Sequence, residues 1–174
     1  YSLTVTIPPL TAACTTPNTA IRSTAWESVI TSDPALTHET IGGRPYVTVI
    51  GSPSGVSGSP LTSIVVYGDF DDNCVEEAAI PLDSGGTAGS TGYLVYRAGT
   101  PQPHLIASSD GYKLALSVSS NRLVVTTAVY AGWEPNCCPS GFAHATYRLV
   151  GDGLTLVSNT TEGIKQTGQR RRHN

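Results

Sequence analysis

The sequence predicts an α+β fold that is mostly β: an antiparallel sheet or sandwich-like meander with one N-terminal amphipathic helix, stapled by two disulfide bonds. Charged residues make up only 13 % of the chain, about half the usual share. Short segments rich in Thr, Val and Tyr alternate with turns rich in Gly and Pro, which is typical of β proteins. The even cysteine count fits disulfides formed in an oxidising compartment.

We expect a single disulfide-linked domain over residues 14–158, with a strand or arm at 1–13 and a polar, basic tail at 159–174. The chain starts at Tyr1 without Met, which predicts a processed secretory end and an extracellular or cell-surface location. No apolar run approaches membrane-spanning length, so we expect no transmembrane segment. We also expect no nucleic-acid partner.

Residues 1–7 alternate between apolar and polar side chains without a fault, which predicts a half-buried strand. The apolar positions of this strand are Tyr1, Leu3, Val5 and Ile7. Pro8 and Pro9 end it. Such a strand can fold back on its own sheet, or it can be donated to the sheet of a neighbouring copy.

A helix is predicted after Pro17, with Asn18 or Thr19 as its N-cap and Asp33-Pro34 at its end. Its apolar stripe consists of Ala20, Ile21, Ala25, Trp26, Val29 and Ile30. Trp26 is interpreted as a core residue rather than a binding aromatic.

The rest of the domain is predicted to consist of strands joined by turns. The predicted strands span 36–41, 44–50, 61–67, 75–82, 93–97, 104–107, 112–118, 123–130, 142–150 and 154–157. The segments 51–60 and 83–92 are rich in Gly and Ser, and they are interpreted as flexible loops.

The four cysteines are Cys14, Cys74, Cys137 and Cys138. Neighbouring cysteines rarely bond each other, because the bridge would close a small strained ring. Excluding that pair leaves two connectivities: Cys14–Cys137 with Cys74–Cys138, or Cys14–Cys138 with Cys74–Cys137. In either case the turn at residues 133–141 would tie the N-terminal region and the middle of the chain to its last third.

The densest acidic cluster contains Asp69, Asp71, Asp72, Glu76 and Glu77. We interpret it as a solvated turn leading into Cys74. The alternative is a weak Ca²⁺ site on Asp69, Asp71 and Asp72, although the EF-hand pattern is absent. No other cofactor is expected. His38-Glu39 is interpreted as a polar strand edge, since no nucleophile or orienting partner is identifiable.

The final segment carries Arg170, Arg171 and Arg172, a short basic tail on an otherwise acidic chain. Such a tail could contact a neighbouring copy or a polyanion. Asn159-Thr-Thr is a sequon for N-glycosylation, which matters only where the source glycosylates.

Several motifs together resemble the LppP/LprE-type lipoproteins of actinobacterial cell envelopes. They are Asn73-Cys74, the strand at 93–97, Asn-Cys-Cys-Pro-Ser-Gly at 136–141, Ala-Thr-Tyr-Arg at 145–148 and Gly-Asp-Gly at 151–153. Cys14 ahead of a helix also fits, so the resemblance covers about residues 14–158. It implies a surface location and two disulfides, and it implies no activity. This chain departs from the family in having a strand ahead of Cys14, where a lipidated cysteine and a spacer would be expected.

The sequence therefore favours a non-enzymatic secreted or cell-surface structural protein that self-assembles into filaments or oligomers by donating its N-terminal strand. Its partners would be copies of itself. The alternative is a monomeric LppP/LprE-like envelope module that binds a protein or a small ligand. An extracellular hydrolase is a remote third reading, because the chain has no G-x-S-x-G elbow and no metal-binding motif.

Overall fold

The computed structural model describes residues 14–163, which form two antiparallel sheets and one α-helix in three layers. The first sheet consists of β1 Leu36–Ile41, β2 Arg44–Val49, β3 Ser57–Pro60, β4 Val66–Gly68, β5 Glu77–Asp83, β6 Ser90–Arg97 and β7 His104–Asp110. The second consists of β8 Ala115–Ser119, β9 Arg122–Val129, β10 Gly141–Val150 and β11 Gly153–Glu162. The predicted fold class is confirmed.

The first sheet has the order β1-β2-β3-β5-β6-β7, and β4 also pairs with β5. The second has the order β11-β10-β9-β8. Within residues 14–163, β1, β7 and the short β4 each pair on one side only in the first sheet, and β8 and β11 are the edges of the second.

The central strands β5 and β6 are buried on both faces, because they lie between the helix layer and the second sheet. Ala78, Ile80, Leu82, Leu94 and Tyr96 face the helix side. Ala79, Tyr93 and Val95 face the second sheet. This alternation is the two-residue period of a strand, with both faces apolar.

The prediction of one continuous helix was wrong, because the segment contains two separate helical pieces. A 3-10 turn at Ala20–Ser23 is followed by α1 at Trp26–Ser32, and the intervening Thr24 is extended. The chain before the 3-10 turn is fixed by a parallel bridge between Asn18 and Val75. Trp26 is buried as predicted, and its indole N–H donates to the Tyr67 hydroxyl at 2.8 Å.

The predicted flexible loop at 51–60 was partly wrong, because its second half is β3 in the sheet. Val56 is only 1 % exposed and packs in the helix-side core. Gly58 passes so close to β5 that a Cβ there would lie 2.9 Å from the Leu82 Cβ. Glycine is therefore required at this position by close approach, rather than by flexibility. The strand predicted at 61–67 is correspondingly replaced by a 3-10 turn and the short β4.

Both predicted disulfide connectivities are wrong, because Cys14 pairs with Cys74 and Cys137 pairs with Cys138. Cys14 and Cys74 are brought together by the bridge at Asn18. The Asn18 N–H donates to the Cys74 carbonyl at 2.8 Å, and the Asn18 carbonyl accepts from the Glu76 N–H at 3.0 Å. The two Cα atoms lie 5.4 Å apart, a usual separation for a disulfide.

Cys137 and Cys138 cannot reach Cys74, because the length of β9 separates their turn from the acidic loop. Arg122, at the start of β9, binds Asp72, which lies two residues before Cys74. The turn that holds Cys137 and Cys138 follows the opposite end of β9, and an eight-residue strand spans about 23 Å. Disulfides bridge Cα atoms less than about 7 Å apart. The vicinal partner is thus the one within reach.

Candidate functional site

The acidic loop, residues 68–77, is an ion-pair centre rather than the predicted solvated turn. Asp69, Glu76 and Glu77 are all buried. The arginines that bind the loop come from three separate parts of the chain: Arg22, Arg97 and Arg122. Few signals in the sequence indicate these pairings, because each of the three arginines lies on a different element.

Arg97, the last residue of β6, is the hub of this centre. Its guanidinium lies 2.9 Å from an Asp71 oxygen, 3.0 Å from an Asp152 oxygen and 3.5 Å from a Glu77 oxygen. Glu77 is completely buried and also accepts the Phe70 N–H at 2.8 Å. Arg97 therefore joins the first sheet to the β10–β11 turn through charged hydrogen bonds.

Burial raises the pKa of the Glu77 carboxyl to about 7, because the charged form loses its hydration. The Phe70 N–H and Arg97 oppose this shift, and the neighbouring Asp71 adds to it. Glu77 thus changes its charge near neutral pH, inside the core.

Two bidentate ion pairs attach the outer parts of the loop. Arg22 donates to both oxygens of Glu76, at 2.6 and 2.7 Å. Arg122 donates to both oxygens of Asp72, at 2.9 and 2.6 Å, and this hydrogen bonding lowers the pKa of the Asp72 carboxyl.

The candidate Ca²⁺ ligands are only partly brought together. Asp69 and Asp71 each place an oxygen near one of Glu77, with all three within 4.8 Å of one another. Asp72 points instead to Arg122. Asp69 also accepts the N–H groups of Asn73 and Cys74, at 2.8 and 2.9 Å. Hydrogen bonds and ion pairs within the protein therefore satisfy the carboxylates of Asp69 and Asp72.

The double-cysteine turn, residues 131–140, connects β9 to β10. The Glu134 carboxylate accepts the N–H groups of Ala131 and Ser140, at 2.8 and 3.0 Å, and so closes the base of the turn. Cys137 and Cys138 lie at its exposed tip. Trp133, in the same turn, is 74 % exposed.

One residue, Asn136, fixes the tip of the double-cysteine turn to the body. Its carbonyl accepts the Tyr130 hydroxyl at 2.8 Å and also the Lys113 ammonium. Its side-chain oxygen accepts the Tyr112 hydroxyl. The Lys113 ammonium lies near both tyrosine rings, 5.7 Å from the centre of the Tyr130 ring. A positive charge therefore stands beside the residue that precedes Cys137.

The open edge of β11 is the longest uncovered strand edge in residues 14–163. β11 pairs with β10 on one side, and its residues 155–162 are all exposed. It extends beyond the predicted end at Val157 as far as Glu162. Leu156 is 53 % exposed although it lies on the same face as the packed Leu154. The sequon residue Asn159 is exposed on this strand.

A cleft of about 490 Å³ lies between α1 and the β1–β2 hairpin. Its polar lining includes Glu27, His38, Glu39 and Tyr46. His38 and Glu39 are both exposed on the edge strand β1, as expected for a polar strand edge.

The proposed assembly strand, with Tyr1, Leu3, Val5 and Ile7, and the tail residues Arg170, Arg171 and Arg172 lie outside the described residues. None of the helices in the described part of the chain has the length and apolar character that a membrane crossing requires. Comparison with protein-family models, curated proteins and solved structures finds no significant match. The resemblance to LppP/LprE-type lipoproteins therefore stays a prediction.

Proposed function

We propose that this is a non-enzymatic, secreted or cell-surface structural protein that self-assembles by strand addition. Residues 1–7 of one copy would pair with the open edge of β11 in the next. The observation that carries the proposal is that edge, a ten-residue strand paired on one side only. Unpaired backbone groups along a strand edge are a template for a further strand.

β11 is better suited to this role than the other edges of the described sheets. β8 has only five residues, and β1 has six and carries Glu39 in its interior. β7 is half-buried over most of its length. By contrast, β11 contains no Pro, no Lys and no charged residue before Glu162. It therefore lacks the charges and prolines by which many proteins block edge pairing, and a β-bulge at Val157 is the one such feature that it carries.

The alternation in residues 1–7 matches what this edge would require. A strand added to β11 would place every second side chain on the face that carries Leu154 and Leu156. The apolar side chains of the donated strand would cover Leu156, and its Ser and Thr residues would face solvent. Donor and acceptor are different surfaces, so the contact is head-to-tail and extends from copy to copy unless the rotation between copies closes a ring. Such contacts build filaments.

The test is particle size by light scattering and electron microscopy, for the native chain and for a variant lacking residues 1–9. Filaments or large oligomers that disappear with the deletion are expected. L156K, which places a charge on the acceptor edge, should also prevent assembly. S117K is the matched control, because it adds the same charge to the exposed edge strand β8. A native chain that is monomeric, or assemblies unaffected by L156K and the deletion, would refute strand donation.

The second candidate is a monomeric envelope module that binds a protein or small ligand, and the cleft beside α1 favours it. The cleft combines the carboxylates of Glu27 and Glu39 with the aromatic ring of Tyr46, a lining that suits a cationic ligand. Monomers that bind an organic cation, with affinity lost in E27Q/E39Q, would favour this function.

A further inference from the structure

The Cys137–Cys138 disulfide joins residues that are already adjacent in the chain. It therefore holds no two elements together, unlike a disulfide that closes a long loop. It closes a small ring that contains the peptide bond between the two cysteines, and ring closure of this kind opposes relaxed disulfide geometry. A role in holding distant parts of the fold together therefore does not explain the Cys137–Cys138 disulfide.

The surroundings of the pair make it accessible to reagents in the folded protein. Both cysteines are exposed at the tip of the double-cysteine turn. The base of the turn is closed by Glu134, and its tip is held through Asn136, so neither anchor depends on the sulfur atoms. The ring can thus open without loss of the hydrogen bonds that fix the turn.

The charge near the pair favours a thiolate. The Lys113 ammonium contacts the carbonyl of Asn136, the residue before Cys137. A nearby ammonium stabilises a thiolate and improves it as a leaving group in exchange. In contrast, Cys14–Cys74 is half-buried, and the carboxylate nearest to Cys74 is that of Asp69, which accepts its N–H.

We propose that Cys137–Cys138 is a thiol–disulfide exchange site whose substrate is a dithiol. A thiolate of the dithiol attacks one cysteine sulfur, forms a mixed disulfide and releases the other cysteine as a thiolate, which takes up a proton. The second thiol of the reductant loses its proton and attacks its own sulfur partner in the mixed disulfide, which releases the remaining cysteine. The vicinal pair gains two electrons and two protons, and the reductant becomes a disulfide.

The experiment treats the native full-length protein with graded dithiothreitol, quenches with acid, and labels free thiols with N-ethylmaleimide. Trypsin places both cysteines on one peptide, residues 123–148, and separates them from Cys14 and Cys74. We expect double labelling of 123–148 at least about tenfold faster than labelling of Cys14 and Cys74, with an unchanged circular dichroism spectrum. In a buffer of reduced and oxidised dithiothreitol, the pair should titrate reversibly.

Equal reduction of the two disulfides, reduction of 123–148 only on unfolding, or failure of the pair to re-form would each overturn the proposal. K113Q should slow the exchange and shift its pH profile upward, and K113R should restore both. In C137S/C138S the labelling of peptide 123–148 should vanish. The Cys14–Cys74 disulfide should resist reduction by dithiothreitol as strongly as it does in the native protein. Faster reduction of Cys14–Cys74 in that variant would show that the vicinal pair is a structural bond.

Discussion

The two disulfides of this protein differ in almost every physical respect. Cys14–Cys74 spans 60 residues and joins the segment before α1 to the acidic loop, whereas Cys137–Cys138 spans a single peptide bond. Loop-closure entropy predicts about 4 kcal/mol of stabilisation for the long loop and very little for the vicinal pair. The number of disulfides therefore does not measure how much cross-linking stabilises a chain. The stabilisation depends on the length of chain that each disulfide closes.

The largest expected effect comes from removing each disulfide in turn. C14A/C74A should lower the free energy of unfolding by about 4 kcal/mol, because the unfolded chain regains the freedom of the long loop. C137A/C138A should lower it by less than about 1 kcal/mol. Urea denaturation followed by circular dichroism measures both. Similar losses in the two variants would contradict the contrast.

Next in size is the loss of Arg97, the hub of the ion-pair centre beside Cys74. R97M leaves the buried Glu77 without its cation, and we expect a loss of about 3 kcal/mol in the free energy of unfolding. The matched variant R122M breaks the more exposed pair with Asp72 and should cost about 1 kcal/mol. Denaturant titrations at one pH give both values, and an equal cost would show that burial of Glu77 carries no special penalty.

The Cys14–Cys74 region should also carry a pH dependence near neutrality. Folding raises the pKa of Glu77 from 4.5 to about 7, so between these values the folded state holds a proton that the unfolded state has lost. The stability from Glu77 is thus complete below the unfolded pKa and is lost as pH rises through the folded pKa near 7, by about 3 kcal/mol in total. E77Q removes this titration.

The measurement is the free energy of unfolding from pH 4.5 to 8, in the native chain and in E77Q. The native curve should fall more steeply with rising pH than the E77Q curve. Asp72 acts in the opposite sense, because its lowered pKa withdraws stability as the solution becomes acidic. Parallel curves would mean that Glu77 stays ionised throughout.

The smallest effect is expected at the double-cysteine turn. Y130F removes the hydroxyl that donates to Asn136 at 2.8 Å, and this single bond should contribute about 1 kcal/mol or less. Y46F is the control, since it removes the hydroxyl of a half-buried tyrosine that bonds Ser57 in the β2–β3 region. In thermal melts, the melting temperatures of both variants should be close to that of the native protein. A large loss in Y130F alone would mean that the turn supports the fold.

How far the sequence predicted this structure depends on whether the information was local. The hairpin of Leu36–Ile41 and Arg44–Val49 was predicted almost residue for residue, because its period and its Gly42-Gly43 turn are local features. β3 was missed because it enters the sheet by pairing with β2, through Gly58 and Val47, and by a close contact of Gly58 with Leu82 of β5. No local pattern reports that contact.

The site was predicted less well, since its partners are distant in sequence. The acidic residues were singled out, but their arginines stand on elements that only the folded topology brings together. The predicted disulfides were wrong for a related reason: a general preference against vicinal pairs contains no information on which cysteines the fold brings within reach of each other. The sequence pattern predicts only a helix cap at Asn18, whereas the bridge of Asn18 to Val75 brings Cys14 to Cys74.

The most direct test of the contrast between the disulfides is a tryptic peptide mass map of the native protein without reduction. The account predicts that peptide 123–148 appears alone, two hydrogens lighter than its dithiol form, while the peptides that carry Cys14 and Cys74 appear joined. If peptide 123–148 is instead found linked to the peptides of Cys14 and Cys74, the vicinal bond does not exist. Both the structural contrast and the exchange site would then be wrong.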